Sequence, residues 1–292
     1  MKGIILAGGS GTRLHPLTLA QSKQLLPVYD KPLIYYPLST LISFGIQEIL
    51  IITNPQNIPP FTSLLGSGQN FGIKIEYMSQ PHPNGIAEAL ILGEKFINGD
   101  DVALILGDNI FVSDSLDIHA TDKYRGSGAM IFTIEVSDPE RYGVVQFEHG
   151  EPQLIVEKPK EHISNQAVTG LYFYDSKASS MARSLDFSSR GELEITDLNN
   201  LYLADNELDV FPLSSSSAWM DAGTFESLQQ SSEFISALQG RSGQLFGSPE
   251  TCAFKNGFID RAKIDLILRT SPKNNYYHLL ENSTIYNEFS SK

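Results

Sequence analysis

The 292-residue chain predicts a three-layer α/β/α sandwich around a mainly parallel mixed central sheet, followed by a helical C-terminal extension. Three observations carry that prediction. Apolar, β-rich runs recur at 2–7, 48–53, 73–78, 102–107 and 129–136, and segments with helix-compatible apolar spacing lie between them at 35–45 and 86–97. Such alternation marks βα units laid on a parallel sheet. The run at 2–7 breaks into Gly8-Gly9, and the run at 102–107 breaks into Asp108-Asn109. Ligands in these folds sit beyond the carboxyl ends of the strands, so the two turns should converge. Beyond residue 138 the pattern changes to short strands and then to helices.

The elements follow in order. Gly3-Ile4-Ile5-Leu6-Ala7 is a buried strand that feeds Gly8-Gly9-Ser10-Gly11-Thr12-Arg13, with Lys23-Gln24-Leu25-Leu26-Pro27 soon after. Glycines let backbone N–H groups turn toward an anion, and Arg13 and Lys23 add fixed positive charge, a combination suited to a triphosphate. The loop is neither a Walker loop, which ends in Gly-Lys-Ser/Thr, nor a dinucleotide fingerprint, whose third glycine is replaced by Leu14. Strands at 142–147 and 153–157 are bridged by His149-Gly150, a hairpin signal. A strand at 168–174, a helix at 192–203, an unbroken helical pattern from Thr224 to Gln239, and helical segments at 260–269 and 275–286 complete the chain. Ser188-Ser189 and Ser214-Ser215-Ser216-Ser217 read as loop tips rather than linkers. There is no internal repeat. The expected organisation is one catalytic domain, 1–240, with the helical extension, 241–292, packed on it.

Composition sets limits. Apolar residues make up 41% of the chain and charged residues 19%, as in ordinary globular proteins. No apolar stretch approaches the ~18–20 residues that span a bilayer. No basic and apolar leader precedes the first strand, so no secretory signal is expected and a cytoplasmic location is the default. The single cysteine, Cys252, reads as a packed small hydrophobe, and the six histidines show no metal-ligand pairing. A net charge of −13 argues against a grip on polymeric nucleic acid, although a few cations focused in one cleft still hold phosphates.

Individual residues admit two readings each. Asp108, after a buried strand, can hold Mg²⁺ together with phosphate oxygens, or cap a helix. Asp221 follows an apolar-aromatic run and precedes Ala222-Gly223, so its carboxylate can protrude at a turn. Lys158, between Glu157 and Pro159, is a phosphate ligand or a snorkelling surface lysine. Gln80 offers a donor and an acceptor side by side, which match the N3–H and O4 edge of thymine or uracil, or else it makes local loop contacts. Trp219, Tyr142 and Tyr172 can stack on a ligand or pack the core. No Gly-x-Ser-x-Gly elbow or activated cysteine is evident.

Several ordered blocks resemble the sugar-1-phosphate nucleotidyltransferases. They are Leu6–Leu14 with Lys23 and Pro27, Leu106-Gly107-Asp108-Asn109, Asp138–Val145, Glu157-Lys158-Pro159, Val168–Asp175, Arg190–Asp197 and Ala218–Thr224. Ser22–Pro32 is most similar to the thymidylyltransferase branch, and the likeness runs from Met1 to about residue 260. It implies the Rossmann-like fold of nucleotide-diphospho-sugar transferases and a homotetramer. It also implies transfer between dTTP and α-D-glucose 1-phosphate, giving dTDP-glucose and pyrophosphate for deoxysugar (dTDP-rhamnose type) and surface-polysaccharide synthesis. Carried onto this sequence, the nucleotide falls to Leu6, Gly8, Gly9, Ser10, Gly11, Thr12, Arg13, Gln80, Gly85 and Asp108. The sugar phosphate falls to Asn109, Gly143, Glu157, Lys158, Val168 and Arg190; Mg²⁺ falls to Asp108 and Asp221; and Arg13, Lys23 and Lys158 are the catalytic cations. The sequence departs from the family pattern at Ile86-Ala87-Glu88-Ala89, where Leu-Ala-Gln-Ala is usual. Two alternatives stay open: the same chemistry on UTP or another hexose 1-phosphate, and a non-catalytic sugar-nucleotide sensor.

Overall fold

The structure, a computed structural model, describes residues 1–9, 11–113 and 123–290, with side chains as far as 285. In chain order the strands are β1 (Lys2–Ala7), β2 (Pro27–Val28), β3 (Lys31–Pro32), β4 (Glu48–Thr53), β5 (Lys74–Ser79), β6 (Val102–Leu106) and β7 (Asn109–Val112). They continue as β8 (Ala129–Glu135), β9 (Gly143–Glu148), β10 (Glu151–Glu157), β11 (Gln166–Tyr174), β12 (Leu208–Pro212) and β13 (Ala218–Asp221). The main sheet runs β10-β9-β11-β6-β1-β4-β5, and β8 joins β11 to β12. Its first half is parallel: β1 lies between β4 and β6, and β5 adds beyond β4. Its second half is antiparallel around β11, which pairs with β6, β8 and β9. The sheet is therefore mixed, with helices on both faces.

Burial explains the pairing. Ile4, Ile5, Ile49, Ile51, Leu104 and Ile105 have no exposure, as β-branched strands covered on both faces should. Each such side chain contributes roughly 1.5–3 kcal/mol of burial. One face packs a cluster with Leu38, Leu41 and Phe61; the other packs Leu90, Tyr174 and Leu198. Ala253, Ile259, Ile264, Leu279 and Leu280 belong to the first of these clusters, so the C-terminal helices share the core of the sheet. The helix Phe225–Ser242 starts at a capping box between Thr224 and Ser227, stops at Gly243 (φ 67°), and so carries past residue 240.

Three features depart from the sequence reading. The segment 86–97 forms two short helices, Glu88–Leu92 and Glu94–Ile97. They meet at Gly93, where an added Cβ would lie 2.7 Å from Ile4 Cδ1. Ile58–Leu65 is a helix despite Pro59 and Pro60, because prolines fit the first turn, where no N–H partner is needed. The strands β7 and β13 form a two-stranded ribbon, four residues each and too short to show a period.

Candidate active site

The glycine loop leaves the carboxyl end of β1. Gly9 and Gly11 have φ of 95° and 61°, and Ser10 lies outside the described residues. The Thr18 hydroxyl donates to the Gly11 carbonyl at 2.8 Å and ties the loop down. A 3₁₀ turn, Thr12–Leu14, buries Leu14 and leaves Arg13 exposed toward the cleft. A second 3₁₀ turn, Lys23–Leu25, brings the Lys23 amine to 2.5 Å from Asp108 Oδ2.

The ribbon of β7 and β13 explains why two aspartates far apart in sequence meet. Asn109 lies opposite Asp221, and the Ala222 N–H donates to the Asp108 carbonyl at 3.1 Å. Asn109 is buried; its Nδ2 donates to Asp108 Oδ1 at 2.8 Å. Its Oδ1 accepts from the Gly170 N–H at 3.1 Å and the Trp219 indole N–H at 2.6 Å. These bonds aim the Asp108 carboxylate. Burial pushes that carboxyl up, but the Lys23 ammonium and the Asn109 amide outweigh it and hold it below the usual range. Asp221 accepts from the Tyr142 hydroxyl at 3.2 Å and pairs with Arg141 at 3.2 Å. Burial raises the Asp221 carboxyl, Arg141 opposes, and the Asp108 charge adds to the rise. Two carboxylates that repel each other in one cleft have the chemistry to hold a divalent cation, since Mg²⁺ takes one or two carboxylates plus phosphate oxygens. Among the described residues no group of three or more His, Cys, Asp or Glu forms an all-protein cage.

Across the cleft, Glu157 ends β10. Its Oε1 pairs with Lys158 at 2.9 Å and Arg190 at 3.4 Å, while the Thr196 hydroxyl donates to Oε2 at 2.9 Å. Lys158 takes φ 47°, an unusual conformation for a residue with a side chain, fixed by its N–H donating to the Tyr142 carbonyl at 2.9 Å. Arg190 also pairs with Glu194 at 2.7 Å. Burial raises the Glu194 carboxyl, but the Arg190 and Ser188 bonds bring it below its usual value.

Arg13, Asp108, Lys158, Arg190 and Asp221 thus border one cleft of about 660 Å³, with Asn109, Gly143, Glu157 and Val168 also in its wall. Leu6, one residue from the end of β1, pairs with Leu106 at the end of β6, at the same edge of the sheet. Gln80 and Gly85 sit on the other side of the glycine loop. Gln80 is buried at 3% exposure; its Nε2 donates to Glu88 Oε2 at 2.7 Å and to the Gly85 carbonyl at 3.3 Å. The donor half of the amide is therefore used internally. Of the three aromatics, Tyr172 is buried, and Trp219 packs edge-on to Tyr142 with centroids 5.0 Å apart. Sequence reasoning missed Arg141 as a partner of Asp221, and Glu88 as the partner of Gln80. Nothing in local spacing links Arg141 to a residue eighty positions on; the Glu88 contact is only eight positions away and was legible as a departure from the family pattern.

With this geometry in place, the comparisons with known proteins fall into line. Residues 2–237 match the family described as nucleotidyl transferase, and the chain belongs to that family. It is 49% identical over 281 residues to the glucose-1-phosphate thymidylyltransferase of Mycolicibacterium smegmatis, covering 96% of this chain and 98% of that protein. It is 50% identical over 280 residues to the enzyme of that name from Neisseria meningitidis serogroup A, covering 94% and 96%. A crystal structure of a Bacillus anthracis protein assigned as a glucose-1-phosphate thymidylyltransferase, in complex with a sucrose, superposes with a TM-score of 0.75 at 45% identity, over 80% of this chain and 94% of that one. A UDP-glucose pyrophosphorylase complexed with UDP-glucose shares the fold at a TM-score of 0.72 and 25% identity, over 81% and 98%. No helix among the described residues is long and apolar enough to cross a membrane.

Proposed function

We propose that the chain is a glucose-1-phosphate thymidylyltransferase, joining dTTP and α-D-glucose 1-phosphate to give dTDP-glucose and pyrophosphate. The observation that carries this reading is near-full-length identity of 49% and 50% to two proteins of that name. The cleft supplies what the reaction needs. A phosphate oxygen of the sugar, already anionic at neutral pH, attacks the α-phosphorus in line, and pyrophosphate leaves with the bonding electrons. No general base is required; the barrier is repulsion between anions and the entropy of alignment.

Arg13 and the glycine-loop amides hold the β- and γ-phosphates. Lys23 neutralises the α-phosphoryl group. Lys158 and Arg190 hold the attacking phosphate, and Glu157 accepts from sugar hydroxyls. Asp108 and Asp221 would hold Mg²⁺, which when bound supplies Lewis-acid neutralisation of phosphoryl charge. Lys23 and Arg141, paired with those carboxylates here, hold them aimed into the cleft. On the same likeness, the product feeds deoxysugar and surface-polysaccharide synthesis, and the assembly is a homotetramer.

Incubation with dTTP, glucose 1-phosphate and Mg²⁺ should release pyrophosphate and an equal amount of a product with the mass of dTDP-glucose. Omission of Mg²⁺ should stop both. Binding without turnover would favour a sugar-nucleotide sensor, and preferred use of UTP would replace the nucleotide while keeping the chemistry.

A further inference from the structure

The main sheet ends at β10, which pairs with β9 along one edge only. Backbone groups on the other edge of such a strand need partners. At Ile155 one side chain supplies both. The Ile155 N–H donates to Asn200 Oδ1 at 2.9 Å, and Asn200 Nδ2 donates to the Ile155 carbonyl at 2.9 Å. The Asn200 amide thus meets β10 as a neighbouring strand would, with an acceptor and a donor side by side.

Asn200 belongs to the helix Ile195–Ala204. Thr196 lies one turn earlier on the same face of that helix, and its hydroxyl donates to Glu157 Oε2 at 2.9 Å. Ile155 and Glu157 are two apart in a strand and so face the same side. Ile155 is buried in one cluster with Ile195 and Leu198. The helix therefore grips the end of β10 by main chain, by apolar side chain and by carboxylate. This grip lies on the cleft side of the irregularity between Pro152 and Leu154, where the register with β9 shifts. Gly143, opposite Glu157, leaves room for it: a Cβ there would lie 3.3 Å from Glu157 Oε2 and 3.4 Å from the Thr196 hydroxyl. Lys158 follows directly at φ 47°, so its direction depends on where the strand is held.

We propose that Asn200, which lies outside the wall of the cleft, is a positioning residue for the sugar-phosphate side: it fixes the end of β10 so that Glu157 and Lys158 meet the sugar phosphate. The inference rests on the function proposed above. It concerns one substrate and not the other, because β9, β11 and β6 stand between β10 and the strand that carries the glycine loop.

The test is Asn200→Leu, which keeps the branched shape and removes both bonds to Ile155. KM for glucose 1-phosphate at saturating dTTP should rise by about fivefold or more, the scale of one lost hydrogen bond, while KM for dTTP stays within about twofold. Amide hydrogen exchange should quicken at 154–158 and not at 2–7. Asn200→Asp still accepts from the Ile155 N–H but sets an acceptor against its carbonyl, and should give the same split. An unchanged sugar-phosphate KM, equal rises for both substrates, or unchanged exchange at 154–158 overturns the inference and leaves the proposed function standing. Failure of both variants to fold also overturns it, since Asn200 would then serve the fold alone. A wild type that releases no pyrophosphate from dTTP and glucose 1-phosphate overturns the proposed function and the inference with it.

Discussion

The two sides of the cleft are built differently. On the nucleotide side, the parts are backbone and buried amides: a glycine loop on β1, Gln80 at 3% exposure, and Lys23 already locked to Asp108. On the sugar-phosphate side, the parts are exposed ions holding one another: the Lys158 and Arg190 side chains are 49% and 42% exposed and share Glu157. The first side is preorganised: its polar groups are already held in place before any ligand arrives. On the proposed function the second would exchange ion pairs, since Lys158 and Arg190 would leave carboxylates to take a phosphate. Exposed pairs of this kind are individually weak, so the exchange costs little. On the proposed function, specificity for the base would fall to the rigid side and adaptable anion capture to the ionic side.

The largest effect should come from the carboxylates that join the two sides. Asp108→Asn and Asp221→Asn should each lower turnover by ~10²-fold or more, because each removes charge that would fix the cation. Both variants should still fold, since both residues sit outside the core clusters; near-normal Mg²⁺-dependent turnover in either variant would remove the metal assignment.

Lys158→Ala should come next. A charge-assisted phosphate contact contributes roughly 1.5–3 kcal/mol, so kcat/KM for the sugar phosphate should fall by about 10- to 150-fold. Steady-state kinetics with each substrate varied would reveal a misplaced Lys158 if the loss appeared in the nucleotide KM instead.

On the rigid side, the proposed function gives Gln80 Oε1 a hydrogen that thymine and uracil share to read. Only the thymine methyl and the ribose hydroxyl distinguish dTTP from UTP, and a methyl in an apolar pocket permits a preference of about 10- to 200-fold. A ratio of kcat/KM values far above that range would require a contact beyond Gln80. The smallest change should follow Arg190→Lys, which keeps the charge but loses the guanidinium fork on Glu194 and Glu157. A rise of a few-fold in the sugar-phosphate KM, with kcat held, would fit an adaptable ionic side; a loss as large as that of Lys158→Ala would mean Arg190 is fixed in place.

The same contrast governs what the sequence made legible. The strand at 2–7, its glycine break and the turn at Asp108 are local signals, because parallel strands buried on both faces read as continuous apolar runs that stop where ligands bind. The hairpin at His149-Gly150 was equally local. What could not be read was long-range pairing. The ribbon that sets Asn109 opposite Asp221 spans more than a hundred residues and uses strands of four. Asn109 itself, expected as a sugar-phosphate contact, lines the cleft but spends its oxygen on Gly170 and Trp219 and its nitrogen on Asp108. Arg141 lies within the Asp138–Val145 block, but its partner could not be read because that ribbon sets it. Glu88 could be flagged as unusual, yet only the folded loop shows that it holds Gln80.

The division of the cleft is tested most directly by calorimetric binding of Mg²⁺-dTTP and of glucose 1-phosphate, each alone, to Lys23→Ala and Lys158→Ala. Lys23→Ala should weaken dTTP and leave glucose 1-phosphate bound as in the wild type, while Lys158→Ala should do the reverse. Loss of the same ligand in both variants would contradict a cleft with separate nucleotide and sugar-phosphate sides.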